Sequence, residues 1–155
     1  MCTLEPADHS NVRDVWEIVF ADAPQYGKEI IIRLFVTYPN TVKYFKHFKD
    51  AASREALEKN PRVTVHAKRV MTALDKISQN VHDWDEVVNI FTPLAEKHRD
   101  VHHVDVHNFK LLFEVILGVF QDALGEAFTK ARRESWVKLF DMLFGFLQYL
   151  YADSV

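Results

Sequence analysis

Residues 61–77, "PRVTVHAKRVMTALDKI", decide the fold class. Pro61 suits the first turn of a helix, where its missing N–H is no loss. Val63, Val70, Ala73, Leu74 and Ile77 then recur at helical spacing on one face. No run anywhere in the chain alternates with period two, so the pattern is helical and strands are not expected. His66 falls on the same apolar face, four positions before Val70. A lone histidine there is ordinarily a core residue with a satisfied ring.

The same periodicity extends outward in both directions. Val12, Val15, Trp16, Val19 and Phe20 predict a first helix over residues 5–21, with Pro6 in its first turn. A second runs from Pro24 to Thr37, carries Ile30, Ile31, Leu34 and Phe35, and is stopped by "YPN". "TVKYFKHF" is a short segment with Phe45 and Phe48, and Lys49 to Asn60 reads as a polar, flexible connection. Beyond the long helix, Val87, Ile90, Phe91 and Leu94 mark another, and His98 extends its face four residues past Leu94. Two long stripes close the chain: Phe109, Leu112, Phe113, Ile116, Val119 and Phe120, then Trp136, Leu139, Phe140, Leu143, Phe146, Leu147 and Leu150. The expected architecture is all-α, about seven or eight helices. One domain over residues 1–155 suits the length.

Composition narrows the function classes. Nineteen Lys and Arg against 22 Asp and Glu give a net charge of −3, and without a long basic run there is no footprint for nucleic acid. No stretch approaches ~18 consecutive apolar residues, so no transmembrane segment is expected. The first thirty residues hold no secretory signal, and the single cysteine, Cys2, makes no internal disulfide; a cytoplasmic protein is expected. The composition leaves open acylation of Cys2 and pairing with a second copy of the chain. Twelve Phe, three Trp and five Tyr exceed what a plain helical bundle needs.

"PLAEKHRDVHHVDVHNF", residues 93–109, holds His98, His102, His103 and His107. His98 and His102 stand at the i, i+4 spacing of a zinc pair. The apolar pattern stops right after His98, however, which puts His102 in the turn beyond the helix. Neither His66 nor His98 has a second metal donor beside it, whereas zinc wants three or four. His66 and His98 instead lie 32 residues apart on two different apolar faces, able to oppose one another across a cavity. Two opposed imidazoles in an aromatic-rich apolar pocket suit a planar iron porphyrin. His103 and His107 are expected to face solvent or to start the next helix.

In order along the chain, these residues resemble a globin over essentially the whole sequence. Trp16 is similar to the interior tryptophan of the first globin helix. "LFVTYPNTVKYFKHF" resembles the segment with the helix-ending proline, Pro39, and the haem-stacking phenylalanine, Phe45. "VHAKRVMTAL" resembles the distal helix, with His66 and, four later, Val70; "PLAEKH" resembles the proximal helix ending in the iron ligand, His98. "HAKRVMTALDKISQNVHD" is most similar to the cytoglobin and neuroglobin branch. Cytoglobins are associated with a cysteine pair, which a chain with one cysteine lacks.

The resemblance implies one non-covalent haem b, since no Cys-x-x-Cys-His motif exists. His98 would bind iron through Nε2, its Nδ1–H held by a backbone carbonyl of the preceding turn. Lys97 stands where several globins place a small or hydroxyl side chain, so that carbonyl would act alone. His66 would donate a hydrogen bond to dioxygen or itself reversibly take the sixth coordination position. Ile31, Phe45, Val70, Leu94 and Leu112 would line the pocket; His47, Arg69 and His102 would meet the propionates at the rim.

Three function classes follow. The first is reversible binding of dioxygen, for storage, delivery or buffering, with carbon monoxide and nitric oxide as further ligands. The second is a haem enzyme such as a nitric oxide dioxygenase, a nitrite reductase or a peroxidase. The third is a haem-linked sensor, or a helical interaction module without cofactor. Phe45, His66 and His98 together weigh against a cofactor-free module. No acid–base pair beyond His66 is visible and no reductase domain is fused, so turnover would need an external reductase. Oxygen binding is the favoured reading, with nitric oxide dioxygenation as its alternative.

Overall fold

A computed structural model describes residues 3–45 and 53–152. His47, Phe48 and Cys2 lie outside the described residues. Among those described there are seven α-helices, two 3₁₀ turns and no strand. They run α1 (Pro6–Phe20), α2 (Ala23–Thr37), a 3₁₀ turn (Pro39–Tyr44), α3 (Arg54–Lys59), α4 (Pro61–Gln79), α5 (Trp84–Asp100), α6 (His107–Leu124), a second 3₁₀ turn (Gly125–Ala127) and α7 (Lys130–Ala152).

Local chemistry sets the boundaries. Pro6 and Pro61 each stand at the first position of a helix. Asn60 Oδ1 accepts the Arg62 amide at 2.9 Å, and Asp83 Oδ1 accepts that of Glu86 at 3.2 Å, so α4 and α5 begin at side-chain caps. Pro39 disfavours helical geometry at Tyr38 and ends α2. Gly125, with φ of +54° and ψ of −123°, takes a positive-φ conformation open to glycine where α6 ends.

Two expectations need correction. Within the stretch from Lys49 to Asn60, expected to be a flexible connection, residues 54–59 form α3, and residues 49–52 lie outside the described residues. Ser53 Oγ accepts the Ala56 amide at 3.2 Å, Leu57 is fully buried, and Arg54 is paired with Glu29 of α2. One large apolar residue, Leu57, beside Ala56 and four charged ones is too weak a periodic signal to reveal a helical turn and a half. Phe20, placed on the core face of α1, is 41% exposed. It stacks on Trp16 at 5.5 Å, covering that ring from outside.

The core is continuous. α2 packs on α4 and α6, α1 on α7 and α4, and α5 on α4 and α7. Trp16, Ile30, Phe35, Ile116, Phe120, Trp136 and Leu139 are among the most deeply buried side chains. Burying each large apolar side chain contributes roughly 1.5–3 kcal/mol. Gly27 permits a close approach of α2 to α4: a Cβ there would lie 2.7 Å from Met71 Cγ and 3.1 Å from the Ala67 carbonyl oxygen. α2 therefore rests directly on the backbone of α4, the helix that carries His66. Polar ties fix the outer helices. Trp16 Nε1 donates to Asp75 Oδ1 at 2.9 Å, and Asp8 accepts Ser135 Oγ and Lys138 Nζ, each at 2.7 Å.

Candidate functional site

One side of the site is built on α4. Its N-cap and the crossing over Gly27 hold His66 half-buried, one turn in from the helix start. The His66 ring meets the Phe45 ring edge-on, with centroids 4.9 Å apart and planes at 82°. Phe45 in turn packs edge-on against buried Phe35 at 4.9 Å. The stop at Pro39 is what brings Phe45 there, because the 3₁₀ turn folds the chain back across the end of α2. Burial, and then the positive charges of Arg69, Arg62 and His102, lower the pKa of His66. Its ring is therefore held neutral, with one N–H and one lone pair.

The second candidate histidine stands in the last turn of α5. His98 Nδ1 lies 2.7 Å from the Leu94 carbonyl oxygen. A carbonyl only accepts, so Nδ1 carries the proton and Nε2 is left with its lone pair. Phe109 of α6 packs against the His98 ring at 5.1 Å and against Phe91 at 6.4 Å. The backbone beyond His98 is also fixed. Val104 N–H donates to the His98 carbonyl at 2.9 Å, and Tyr151 Oη donates to the Val104 carbonyl at 2.7 Å. Arg99 Nη1 donates to the Leu150 carbonyl at 2.6 Å. The end of α7 thus clasps the turn after the histidine.

The structure places the other candidates as follows. Ile31 is buried, while Phe45, Val70 and Leu112 are half-buried against the core. Leu94 is 37% exposed, leaving apolar surface beside His98. Arg69 is exposed on α4, one turn beyond His66. His102 is exposed beyond the end of α5, its ring centroid 5.8 Å from that of His98, and its charge is felt at His66. It therefore sits near both histidines. Because α5 ends at Asp100, His98 and His102 do not form a helical i, i+4 pair. No group of three or more His, Cys, Asp or Glu able to hold a metal ion occurs among the described residues. His103, with φ of +52°, and His107 are exposed.

Two residues of this site were not singled out from the sequence. Phe109 was read only as core; its place one turn before Leu112 and Phe113 gave the face but not the partner. Arg62 lies one turn before His66 and lowers its pKa, a signal present in the i−4 spacing.

Comparison with known proteins gives a consistent likeness. The family model for globins matches residues 28–147. The chain is 31% identical to cytoglobin-2 of Danio rerio over 97% of its own length and 84% of the relative. Cytoglobin-1 of the same fish is 30% identical over 97% of this chain and 87% of the relative. Hemoglobin subunit beta-3 of Aquarana catesbeiana is 36% identical, covering 90% and 92% respectively. No helix among the described residues is long and apolar enough to cross a membrane.

Proposed function

This chain belongs to the globin family, and on that premise we propose that it binds one b-type haem and reversibly takes dioxygen at the ferrous iron. When bound, haem supplies an iron atom with a coordination position for a diatomic gas. The residues present fit that group. His98 turns Nδ1 to a backbone carbonyl, the pKa of His66 is lowered, and Phe45, Val70, Leu94 and Leu112 each keep apolar surface that a cofactor would cover. The bond from His98 Nδ1 to the Leu94 carbonyl carries the reading most directly. It fixes tautomer and ring orientation together and raises the basicity of Nε2, as second-shell acceptors do for metal-bound histidines.

The other residues divide the work. His98 anchors the cofactor. Ile31, Phe45, Val70 and Leu112 exclude water, which strengthens polar interactions inside the pocket and slows loss of the ferrous state. His66, kept neutral by burial and by its cationic neighbours, donates its ring N–H to a diatomic ligand carrying partial negative charge. The lone pair that neutrality preserves would also allow His66 to serve as a second nitrogen donor to the iron. Arg69 and His102 would donate charge-assisted hydrogen bonds to the propionates, with His47 as a third candidate.

An absorption spectrum of the purified ferrous protein, with and without carbon monoxide, tests the proposal. A Soret band that shifts on adding carbon monoxide is expected. A protein isolated without haem that also fails to take up added haemin would refute it.

A further inference from the structure

α2 packs on both α3 and α4. Against α4 the hold is steric: the Ala67 carbonyl and the Met71 side chain close on Gly27, just beyond His66 in sequence. Against α3 it is largely ionic. Glu29, two residues after Gly27, accepts Arg54 Nη2 of α3 at one carboxylate oxygen and Arg33 Nε at the other, the latter at 2.9 Å. Arg33 Nη1 reaches Asp122 Oδ2 of α6 at 2.7 Å, so Glu29 is braced from a third helix. Arg54 Nε also meets Glu58 Oε1 at 3.3 Å.

The two partners of the α2–α3 pair differ in exposure. The Glu29 side chain is 18% exposed and that of Arg54 48%. Burial raises the Glu29 pKa, but hydrogen bonds from Arg54 and Arg33, with their charges, outweigh it and hold the carboxyl below its ordinary range. Glu29 is thus a fixed anion, and the bond to Arg54 is charge-assisted. α3 has little else to hold it. Leu57 is its one buried side chain, and six residues are too few for a helix to persist by its own hydrogen bonds. Asn60 is the single residue between α3 and α4, and it caps α4 by accepting the Arg62 amide at 2.9 Å. Whatever moves α3 therefore moves the first turn of α4, and His66 lies between that turn and the pin at Ala67.

We infer that Glu29 and Arg54 form an ionic latch that fixes α3 on α2, positions the free end of α4 with His66 against Phe45, and so slows loss of the cofactor. Both are positioning residues. They act through α3 and Asn60 and touch no ligand. The consequence for the cofactor rests on the haem reading above; the latch is a property of the chain itself. Its signature is sensitivity to salt. Arg54 is exposed enough for ions to screen the pair, whereas the apolar contact at Leu57 does not weaken as salt rises.

Hydrogen exchange of the protein as purified tests the latch, and transfer of haemin from the ferric protein to an apoglobin acceptor tests its consequence. Arg54→Gln breaks the pair and Arg54→Lys keeps the charge. Lys59→Gln is the control: it removes the same charge from the same helix by breaking the Lys59–Glu55 pair at 3.3 Å, which stays within α3. At about 0.01 M sodium chloride, amides of residues 57–66 should exchange about threefold to tenfold faster in Arg54→Gln than in wild type, and haemin loss should quicken by a similar factor. At about 1 M the gap should close, because screening speeds the wild type. Arg54→Lys should restore most of the protection and its salt dependence, and Lys59→Gln should stay within about twofold of wild type. Equal rates in Arg54→Gln and wild type, or a gap that salt leaves unchanged, overturn the inference. Equal acceleration by Lys59→Gln overturns it too, since that marks a general loosening of α3. So does faster exchange without faster haemin loss, because the latch would then not reach the pocket. A chain that takes up no haemin fails the haem reading, while the exchange comparison still decides whether the latch exists.

Discussion

His98 and Leu94 are locked by one bond: the imidazole Nδ1 lies 2.7 Å from the leucine carbonyl oxygen, within the last turn of α5. The lone pair of Nε2 is free for a metal because that bond commits the other nitrogen. His102, 5.8 Å away by ring centroid, lies beyond the helix. His98→Ala should therefore abolish stable haem retention, whereas His102→Ala should keep the haem with a modest change in affinity. Haem transfer to an apoglobin acceptor measures both; equal retention by the two variants would refute the choice of ligand.

Neutral His66 can serve either as donor or as ligand. The deoxy ferrous spectrum is expected to be low-spin, with His66 in the sixth position. His66→Leu should convert it to high-spin and accelerate carbon monoxide binding, because the gas no longer waits for the histidine to leave. A wild-type deoxy form that is already five-coordinate and high-spin would leave His66 as a hydrogen-bond donor alone.

Gly27 marks a tight crossing of α2 on α4. Val at this position would drive its Cβ toward Met71 Cγ and the Ala67 carbonyl, at 2.7 and 3.1 Å in the present packing. The backbone oxygen cannot swing away as a side chain can. Gly27→Val should destabilise the protein by about 1–3 kcal/mol, read as a lower urea midpoint, and should loosen haem by shifting α4.

Asp8 gives α1 and α7 a pH-dependent tie. Burial raises its pKa, but hydrogen bonds from Lys138, the Glu5 amide and Ser135 outweigh that and hold it at about 2, below the usual 3.8. A depressed carboxylate stabilises the fold fully above 3.8 and loses that contribution as pH falls toward 2. Asp8→Asn should cost about 2 kcal/mol at neutral pH. The gap from wild type should close between pH 4 and 2; urea curves at several pH values that keep a constant gap would contradict the assignment.

Tyr151 and Arg99 test the clasp on the proximal side. Tyr151→Phe removes the hydroxyl that donates to Val104, whose own amide donates to His98. Amides of residues 101–104 should exchange faster, and haem loss should quicken by several-fold, consistent with about 1 kcal/mol for one hydrogen bond. Unchanged exchange in that turn would show that the bond positions nothing.

The helices were legible because each long one carries an apolar stripe at period 3.6 that survives without knowledge of its partner. Val63, Val70, Leu74 and Ile77 sufficed for α4, and the end of the stripe after His98 was enough to put His102 outside α5. α3 was not legible, since a six-residue helix with one buried side chain, Leu57, has no period to detect. For the site, the sequence placed His66 and His98 on apolar faces, but a face does not say what it meets. That Phe109 lies against His98, that the end of α7 fastens the turn beyond it, and that Phe20 covers Trp16 from outside were settled only when helices distant in sequence crossed. Periodicity is a property of one segment; contact and electrostatic proximity are properties of two, and only tertiary packing creates them.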